Sequence, residues 1–416
     1  MGRVAKLICV SEKNNNKFYD MVENPDGSIT STWGRVDVTS TVTHYPAGKK
    51  KWETLLKSKL RKGYVDVTEL RSIETTKSEF AVIGVPAVAA IVNELQSYAN
   101  KSVRQNYTIS SEAVTPQMVT AAQTIMDNLI AQLTLGNATK SINEQLLELY
   151  RVIPRKMKKT YFHLIDTRNP NMKDMSVNWV TNRNLPEIKR LVANEQAILD
   201  VMSGQVKVSI AQKETKHAKL ASTILDAIGL VITLPSDGDV QVIKRFLGHN
   251  ARQYRKAFRI INKRTQAKFN NALKNAENKT VRSYWHGSRN ENWWSIIDSG
   301  LLIRPSNAVL TGAMFGYGIY GASRAQKSIG YSSLRGSYWT RGSANKGFLA
   351  LFDFHVGNPL HVKHHASWMY SLNYKNLKSR GAYDSLFAHN GADLRNDEFI
   401  VYKTDQATIK FLVEIG

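Results

Sequence analysis

The sequence predicts an α+β multidomain chain in three blocks: a small α+β module, an all-α block, and a strand-rich mixed α/β block at the C-terminal end. Three observations predict it. Short β-like runs separated by turns fill residues 1–70, apolar residues recur at helical spacing from Thr115 to about residue 204, and β-like runs alternate with glycine-rich turns after Ser283. At roughly 150 residues per domain, a chain of 416 residues is long enough for several domains.

The first module spans residues 1–75. "KLICVSE", "NKFYDMVEN" and "ITSTWGRVDV" read as strands, and Asp26-Gly27 after Pro25 marks a hairpin because glycine accepts positive φ without strain. A basic amphipathic stretch follows from Lys49 to Leu60, then "KGYVDVTEL". Residues 76–114 read as a connector, with one helix in "PAVAAIVNELQSYAN" and non-helical chain in "KSVRQNYTISSEAV".

In the helical block, 115–204, Thr115 caps a helix that has Pro116 at its first position. Met118, Ala122, Ile125, Met126, Leu129 and Leu133 line one face, and Gly136 is placed to end it. Ser141 and Glu144 read as a capping box for a second helix carrying Ile142, Leu146, Leu149, Tyr150 and Ile153 up to Pro154. A third begins near Leu185, with Ile188, Leu191, Val192, Ile198, Leu199 and Met202 inward. From 205 to 416, "GLVITLPSDGD" and "KAFRIINK" read as strands, "TQAKFNNAL" as a short helix, and the chain ends in the strands of "EFIVYKTDQATIKFLVEI".

Composition narrows the partners. With 42% hydrophobic and 22% charged residues the chain is not a disordered one. Its 57 Lys and Arg against 34 Asp and Glu give a net charge of +23, which points to a polyanion, most often nucleic acid. Between Lys244 and Lys279 stand 11 Lys or Arg and one acid, Glu277; Lys49-Lys50-Lys51 and Lys156, Lys158, Lys159 add further clusters. The single cysteine, Cys9, excludes a disulfide framework and a Cys-based zinc finger, so a reducing intracellular location is expected, the nucleus in a eukaryote and otherwise the cytoplasm or nucleoid. Phe80–Val92, the longest apolar stretch worth testing, has 13 residues and contains Pro86. A membrane span needs about 20, and no secretory signal is expected either. His361, His364 and His365 lack a completing Cys or carboxylate pattern, so no metal is expected. "GAMFGYGIYG" opens no helix of a βαβ unit, which disfavours a Rossmann dinucleotide site.

Three segments carry a family resemblance by their order and spacing: "YWHGSRNENWWSIIDSGLLIRP" (284–305), "TGAMFGYGIYGASRAQKSIGYSS" (311–333) and "NDEFIVY" (396–402). Together they resemble the catalytic domain of the poly(ADP-ribose) polymerases, within the wider ADP-ribosyltransferases, whose His…Tyr…Glu pattern is matched by His286, Tyr320 and Glu398. Upstream, "FYDMVENPDGSITSTWGRVD" with "KLRKGYVDV" resembles the WGR module, named for the signature seen here as Trp33, Gly34 and Arg35. The helical block sits where such enzymes carry a helical regulatory domain, and "ELYRVIPRKM" resembles a helix end in it. The resemblance touches most of the chain and is loosest between residues 76 and 280.

The resemblance implies NAD+ as substrate, no metal, and a set of roles. Cleaving the nicotinamide–ribose bond builds positive charge on the ribose, and a fixed carboxylate stabilises it; Glu398 takes that role, gripping a ribose hydroxyl and polarising the acceptor hydroxyl. Gly287 and Ser328 hold the carboxamide, Tyr331 stacks on the nicotinamide with Tyr320 closing the other side, and His286 bonds the adenine ribose. Ser288 and Asn292 are further candidates for the adenosine half, and Met314 and Lys327 match positions that seat the growing polymer. Near the "IRP" proline, where members often place a nucleotide-contacting arginine, this chain has Leu302 and then Arg304. Asn396 stands where chain-elongating members commonly have an aromatic, and the inter-strand loop from Trp368 to Leu394 is poorly matched.

The expected function is therefore a DNA-stimulated ADP-ribosyltransferase that modifies protein acceptors, itself included, and elongates poly(ADP-ribose) in a DNA-break response. The WGR-like module meets break ends, and the helical domain blocks NAD+ entry until DNA loosens it. Trp33 either stacks on an exposed base or sugar, with Arg35 on phosphate, or belongs to the core. The alternatives are a mono-ADP-ribosyltransferase of protein or nucleic-acid ends and a catalytically idle DNA-binding protein.

Overall fold

The structure, a computed structural model, describes residues 2–38, 40–68, 80–108, 114–135, 139–165, 185–214, 223–303, 313–391 and 393–416. Gly136, expected to end a helix, and Arg304, the candidate nucleotide contact, lie outside the described residues. The contacts divide the chain into two compact units, residues 1–76 with 102–206 and residues 77–101 with 207–416.

In the first unit, β1 (Val4–Ser11), β2 (Asn15–Glu23), β3 (Ile29–Arg35), β4 (Thr41–Tyr45) and β5 (Val65–Asp66) form an antiparallel sheet in the order β4-β3-β2-β1-β5. The β2–β3 turn falls at the expected place: Gly27 has φ 79°, and the Asp26 carboxylate accepts from the Ser28 amide at 2.9 Å. Helix α1 (Trp52–Arg61) closes the module by packing Trp52 and Leu55 with Leu7, Tyr19, Met21 and Ile29.

Helix α2 (Pro86–Asn106) runs further than expected, since "KSVRQN" is helical and not connector. Its reason is visible in the burial of Val88, Val92, Leu95, Ala99 and Val103, a stripe at helical spacing that carries past Asn100. Helices α3 (Pro116–Leu135), α4 (Thr139–Val152) and α5 (Leu185–Glu214) follow. The Thr115 hydroxyl accepts from the Met118 amide at 3.0 Å, as the cap requires. Every apolar residue assigned to the α3 and α4 faces is buried; on α5, Leu191 and Ile198 are only half-buried. Ser141 is no cap, because α4 begins at Thr139 and the Ser141 hydroxyl donates to Gln132 Oε1 at 2.9 Å. A buried ion pair was not foreseen: Arg155, 3% exposed, meets Glu195 at 3.1 Å and donates to the Asn106 carbonyl at 2.9 Å.

The second unit is built on β6 (Leu230–Thr233), β7 (Tyr254–Asn262), β8 (Val281–Gly287), β9 (Ile319–Ala322), β10 (Gly347–His355), β11 (Pro359–Val362), β12 (Ser385–Ala388), β13 (Glu398–Val401) and β14 (Ala407–Ile415). Their order in one sheet is β11-β12-β13-β9-β8-β10-β14-β7-β6. The helices α6 (Ile224–Ala227), α7 (Asp237–Leu247), α8 (Lys263–Lys274), α9 (Trp293–Ser299), α10 (Ala325–Ile329) and α11 (Tyr374–Lys378) belong to the same unit. Two expectations change here. "GLVITLPSDGD" is a strand only to Thr233, because Ser236 and Asp239 form a capping box that starts α7. The stretch from Trp368 to Leu394 is not a plain loop; it holds α11, capped by Asn373, and strand β12. No helix among the described residues is long and apolar enough to cross a membrane.

Between β8 and β9 the ladder pairs a single position, Trp285 with Ala322. Aromatic rings bridge the same place on the other face: Tyr284 stacks on Phe399 with centroids 4.6 Å apart and planes 2° from parallel, and Phe354 meets both edge-on. The rings meet across β9 because residue 321 is glycine. A Cβ there would lie 2.7 Å from the Tyr284 Cβ and 3.0 Å from Phe354. Gly321→Ala is therefore expected to cost about 1–3 kcal/mol by overpacking, read as a lowered urea midpoint with an unchanged m value.

Candidate active site

The end of β8, the strand β9, helix α10 and the first residue of β13 converge where the ladder stops. Beyond Trp285 the backbones of β8 and β9 part, and the His286 side chain takes over, its Nδ1 3.1 Å from the Tyr320 carbonyl oxygen. A carbonyl only accepts, so Nδ1 carries the proton. Burial pushes the imidazole pKa below its ordinary value, against that hydrogen bond, so the ring is neutral and Nε2 presents a lone pair. Trp293 and Phe352 hold the ring edge-on, at 6.5 and 6.0 Å.

Gly287, the next residue, lies against the Ser328 backbone, where a Cβ would collide with the Ser328 carbonyl. Ser328 is buried at the end of α10, and its carbonyl accepts from the Tyr331 amide at 3.0 Å. One turn thus brings together the Gly287 backbone, the Ser328 hydroxyl and the exposed Tyr331 ring. The Asn292 amide donates to the Ser288 hydroxyl at 3.0 Å, and the Asn290 amide N–H to the Ser333 hydroxyl at 2.9 Å, tying the turn after β8 to the segment after Tyr331.

Tyr320 is held at both ends of its hydroxyl, donating to the Gly316 carbonyl at 2.9 Å and accepting from the Phe315 amide at 3.1 Å; burial raises its pKa. Met314, one residue upstream, packs partly buried on the cluster of Phe315, Leu372 and Ile400. Glu398 opens β13 and pairs with Ala322 of β9 and Ala388 of β12. Its carboxylate contacts the Lys327 ammonium from α10. Burial pushes the Lys327 pKa down to about 8, against the pull of Asp397.

His286, Gly287, Tyr320, Lys327, Ser328, Tyr331 and Glu398 thus lie around one break in one sheet, while Ser288 and Asn292 bond each other in the turn after β8 and Met314 packs on the Phe315 cluster. Trp33, Gly34 and Arg35 belong to the other unit. Trp33 is 40% exposed, with its indole N–H on the Thr43 hydroxyl at 3.0 Å, so it is not part of the core. Arg35 already donates to Asn14 O at 2.8 Å, Asn14 Oδ1 at 3.0 Å and the Lys158 carbonyl at 2.9 Å. Sequence reasoning missed Gly321 and Tyr284. A glycine inside the strand pattern of "GIYGAS" is the available signal, since it marks a close approach. Among the described residues no cluster of three His, Cys, Asp or Glu can hold a metal, and His361 instead meets His389 at 2.9 Å.

Residues 243–416 match the poly(ADP-ribose) polymerase catalytic domain. An uncharacterized protein, 101L, of Invertebrate iridescent virus 6 is 31% identical over 212 residues, 51% of this chain and 81% of that protein. A poly(ADP-ribose) polymerase-like protein of the same virus, 100L, is 32% identical over 150 residues, 35% of this chain and 77% of its own length. The chain belongs to the poly(ADP-ribose) polymerase family. Human poly [ADP-ribose] polymerase 2 is 30% identical over 155 residues, 32% of this chain and 26% of its own. The C-terminal domain is accordingly an ADP-ribosyltransferase with NAD+ as its substrate, and the match begins at residue 243, inside the block read from 205 onward.

The Gly287–Ser328 contact leaves no room for a side chain. Gly287→Ala is expected to displace the turn and lower kcat/KM for NAD+ about 10²-fold, the cost of roughly 1 Å of misplacement, in steady-state assays on folded protein.

Proposed function

We propose that the chain is a DNA-stimulated poly(ADP-ribose) polymerase that modifies protein acceptors, itself included, in a DNA-break response. The observation that carries the reading is the carboxylate of Glu398 fixed by Lys327 beside the Gly287–Ser328–Tyr331 turn. On this reading the nicotinamide amide sits on the Gly287 backbone and the Ser328 hydroxyl, with its ring on Tyr331. His286 Nε2 accepts from a ribose hydroxyl. The C1′–N bond breaks with its electron pair going to nicotinamide, Glu398 stabilises the cationic ribose, and the acceptor oxygen bonds C1′ as its proton passes to the Glu398 carboxylate.

For the N-terminal module, the exposed ring of Trp33 favours stacking on a DNA end over a core role. Lys158, Lys159, Tyr161 and Phe162 are exposed next to the carbonyl that Arg35 grips, and they extend the basic, aromatic surface expected of a WGR-like module. Arg35 then acts as a positioning residue between that module and the helical segment, which serves as the regulatory block.

Labelled NAD+ with and without a nicked duplex tests this. A DNA-dependent ladder is expected from the wild type, and Glu398→Gln is expected to lower transfer about 10²–10³-fold. No label in either condition, with DNA still bound, defeats the enzymatic reading. Asn396, in place of an aromatic, favours mono-transfer as the second reading, and a single DNA-dependent product in the same gel would select it.

The Lys327 pKa adds a pH signature. The ammonium is charged below about 8 and neutral above it. If it seats the acceptor, the ratio of ADP-ribose transfer to NAD+ hydrolysis falls as pH rises through that value, and Lys327→Met flattens the profile.

A further inference from the structure

The segment after Tyr331 carries two large exposed aromatics in succession, Tyr338 at 74% and Trp339 at 63%. They are held in place by what lies beneath them. The Trp339 amide donates to the Gly330 carbonyl at 2.9 Å, and the Ser337 hydroxyl donates to the Ser332 carbonyl at 2.9 Å. The Thr340 hydroxyl reaches that same carbonyl, and the Gly342 amide donates to the Ser337 hydroxyl at 2.9 Å. Ser332 and Ser337 are buried, and Arg341 is held at φ 49°, a conformation uncommon outside glycine. A buried polar network therefore fixes the backbone of a segment whose two large rings lie mostly in solvent. Exposed aromatics held this way are preorganised for a partner.

The rings continue the active-site face. Tyr331 and Trp339 lie 6.0 Å apart and 21° from parallel, and Tyr338 stands edge-on to Trp339 at 4.7 Å. The surroundings are cationic: from Ser323 to Lys346 the sequence holds Arg324, Lys327, Arg335, Arg341 and Lys346 and no acid. Arg324, Arg335 and Arg341 are exposed, and among the described residues none of them meets a carboxylate. Flat rings with free guanidinium groups beside them match a base and its phosphate, and the base faces needed for stacking are open only in a single strand.

We propose that Tyr338 and Trp339, with Arg335 and Arg341, form a binding site for single-stranded nucleic acid on the catalytic unit, beside the nicotinamide-stacking tyrosine. The site is separate from the Trp33 surface and does not rest on the DNA-break reading. The probe is a fluorescein-labelled single-stranded 12-mer, bound to the full chain and followed by anisotropy. Tyr338→Ser/Trp339→Ser is expected to raise its Kd about ten-fold or more, as the loss of base–aromatic stacking does. Arg335→Gln with Arg341→Asn is expected to lessen the steepness of log K against log salt by about 1.4, at about 0.7 per phosphate; asparagine tolerates the positive φ at 341.

Both effects should persist in a Trp33→Ala background, which removes the proposed duplex-end contact and keeps failure of the two readings distinguishable. Tyr338→Ser alone, which removes an exposed ring that meets only the Trp339 ring among the described residues, guards against a folding artefact. Retention of affinity within two-fold in both aromatic variants overturns the proposal. So does a wild type that binds phosphatidylserine vesicles but not the 12-mer, or an aromatic effect that disappears in Trp33→Ala.

Discussion

The candidate site depends on two rings that touch across a strand. Backbone hydrogen bonding between β8 and β9 is confined to the Trp285–Ala322 position, too little to set the spacing of three strands. Tyr284 supplies the rest by reaching over Gly321 to stack on Phe399. Phe399 follows Glu398, so the stack fixes the start of β13 and with it the carboxylate. Tyr284 precedes Trp285 and His286, so it also fixes the strand that delivers His286 and Gly287. One apolar contact on one face thus registers the polar groups presented at the break in the ladder.

The polar groups are then set by burial and by what each carbonyl permits. His286 is neutral because it is buried, and its free lone pair is on Nε2 because Nδ1 is committed to Tyr320. Lys327 and Glu398 neutralise each other in a half-buried place, which lowers the cost of holding either charge away from water. Tyr320, with both a donor and an acceptor engaged by residues 315–316, ties the site to the Phe315 cluster rather than standing free.

Much of this was legible from the residues in order. The faces of α3 and α4, the Thr115 cap and the Asp26-Gly27 turn are local signals, and the structure places them as read, while the three C-terminal segments fall within residues 243–416, which match the family's catalytic domain. What escaped is what requires two distant residues at once. Arg155 and Glu195 pair across 40 positions, and no periodicity announces a buried charge. Gly321 takes its meaning from Tyr284 and Phe399, and the Ser332–Ser337–Thr340 network from a tight fold of chain. Ser141 misled because a helix start is decided by the backbone before the motif, and α4 was already under way.

The fastening of the Tyr338–Trp339 segment has a consequence for descent. It is anchored through main-chain carbonyls and small hydroxyl side chains, all within a dozen residues of one another. The outermost ring, Tyr338, lies outside that anchoring, so drift at its position leaves the staple intact. A lineage is thereby free to retune what the tip holds without relearning how to turn over its nucleotide.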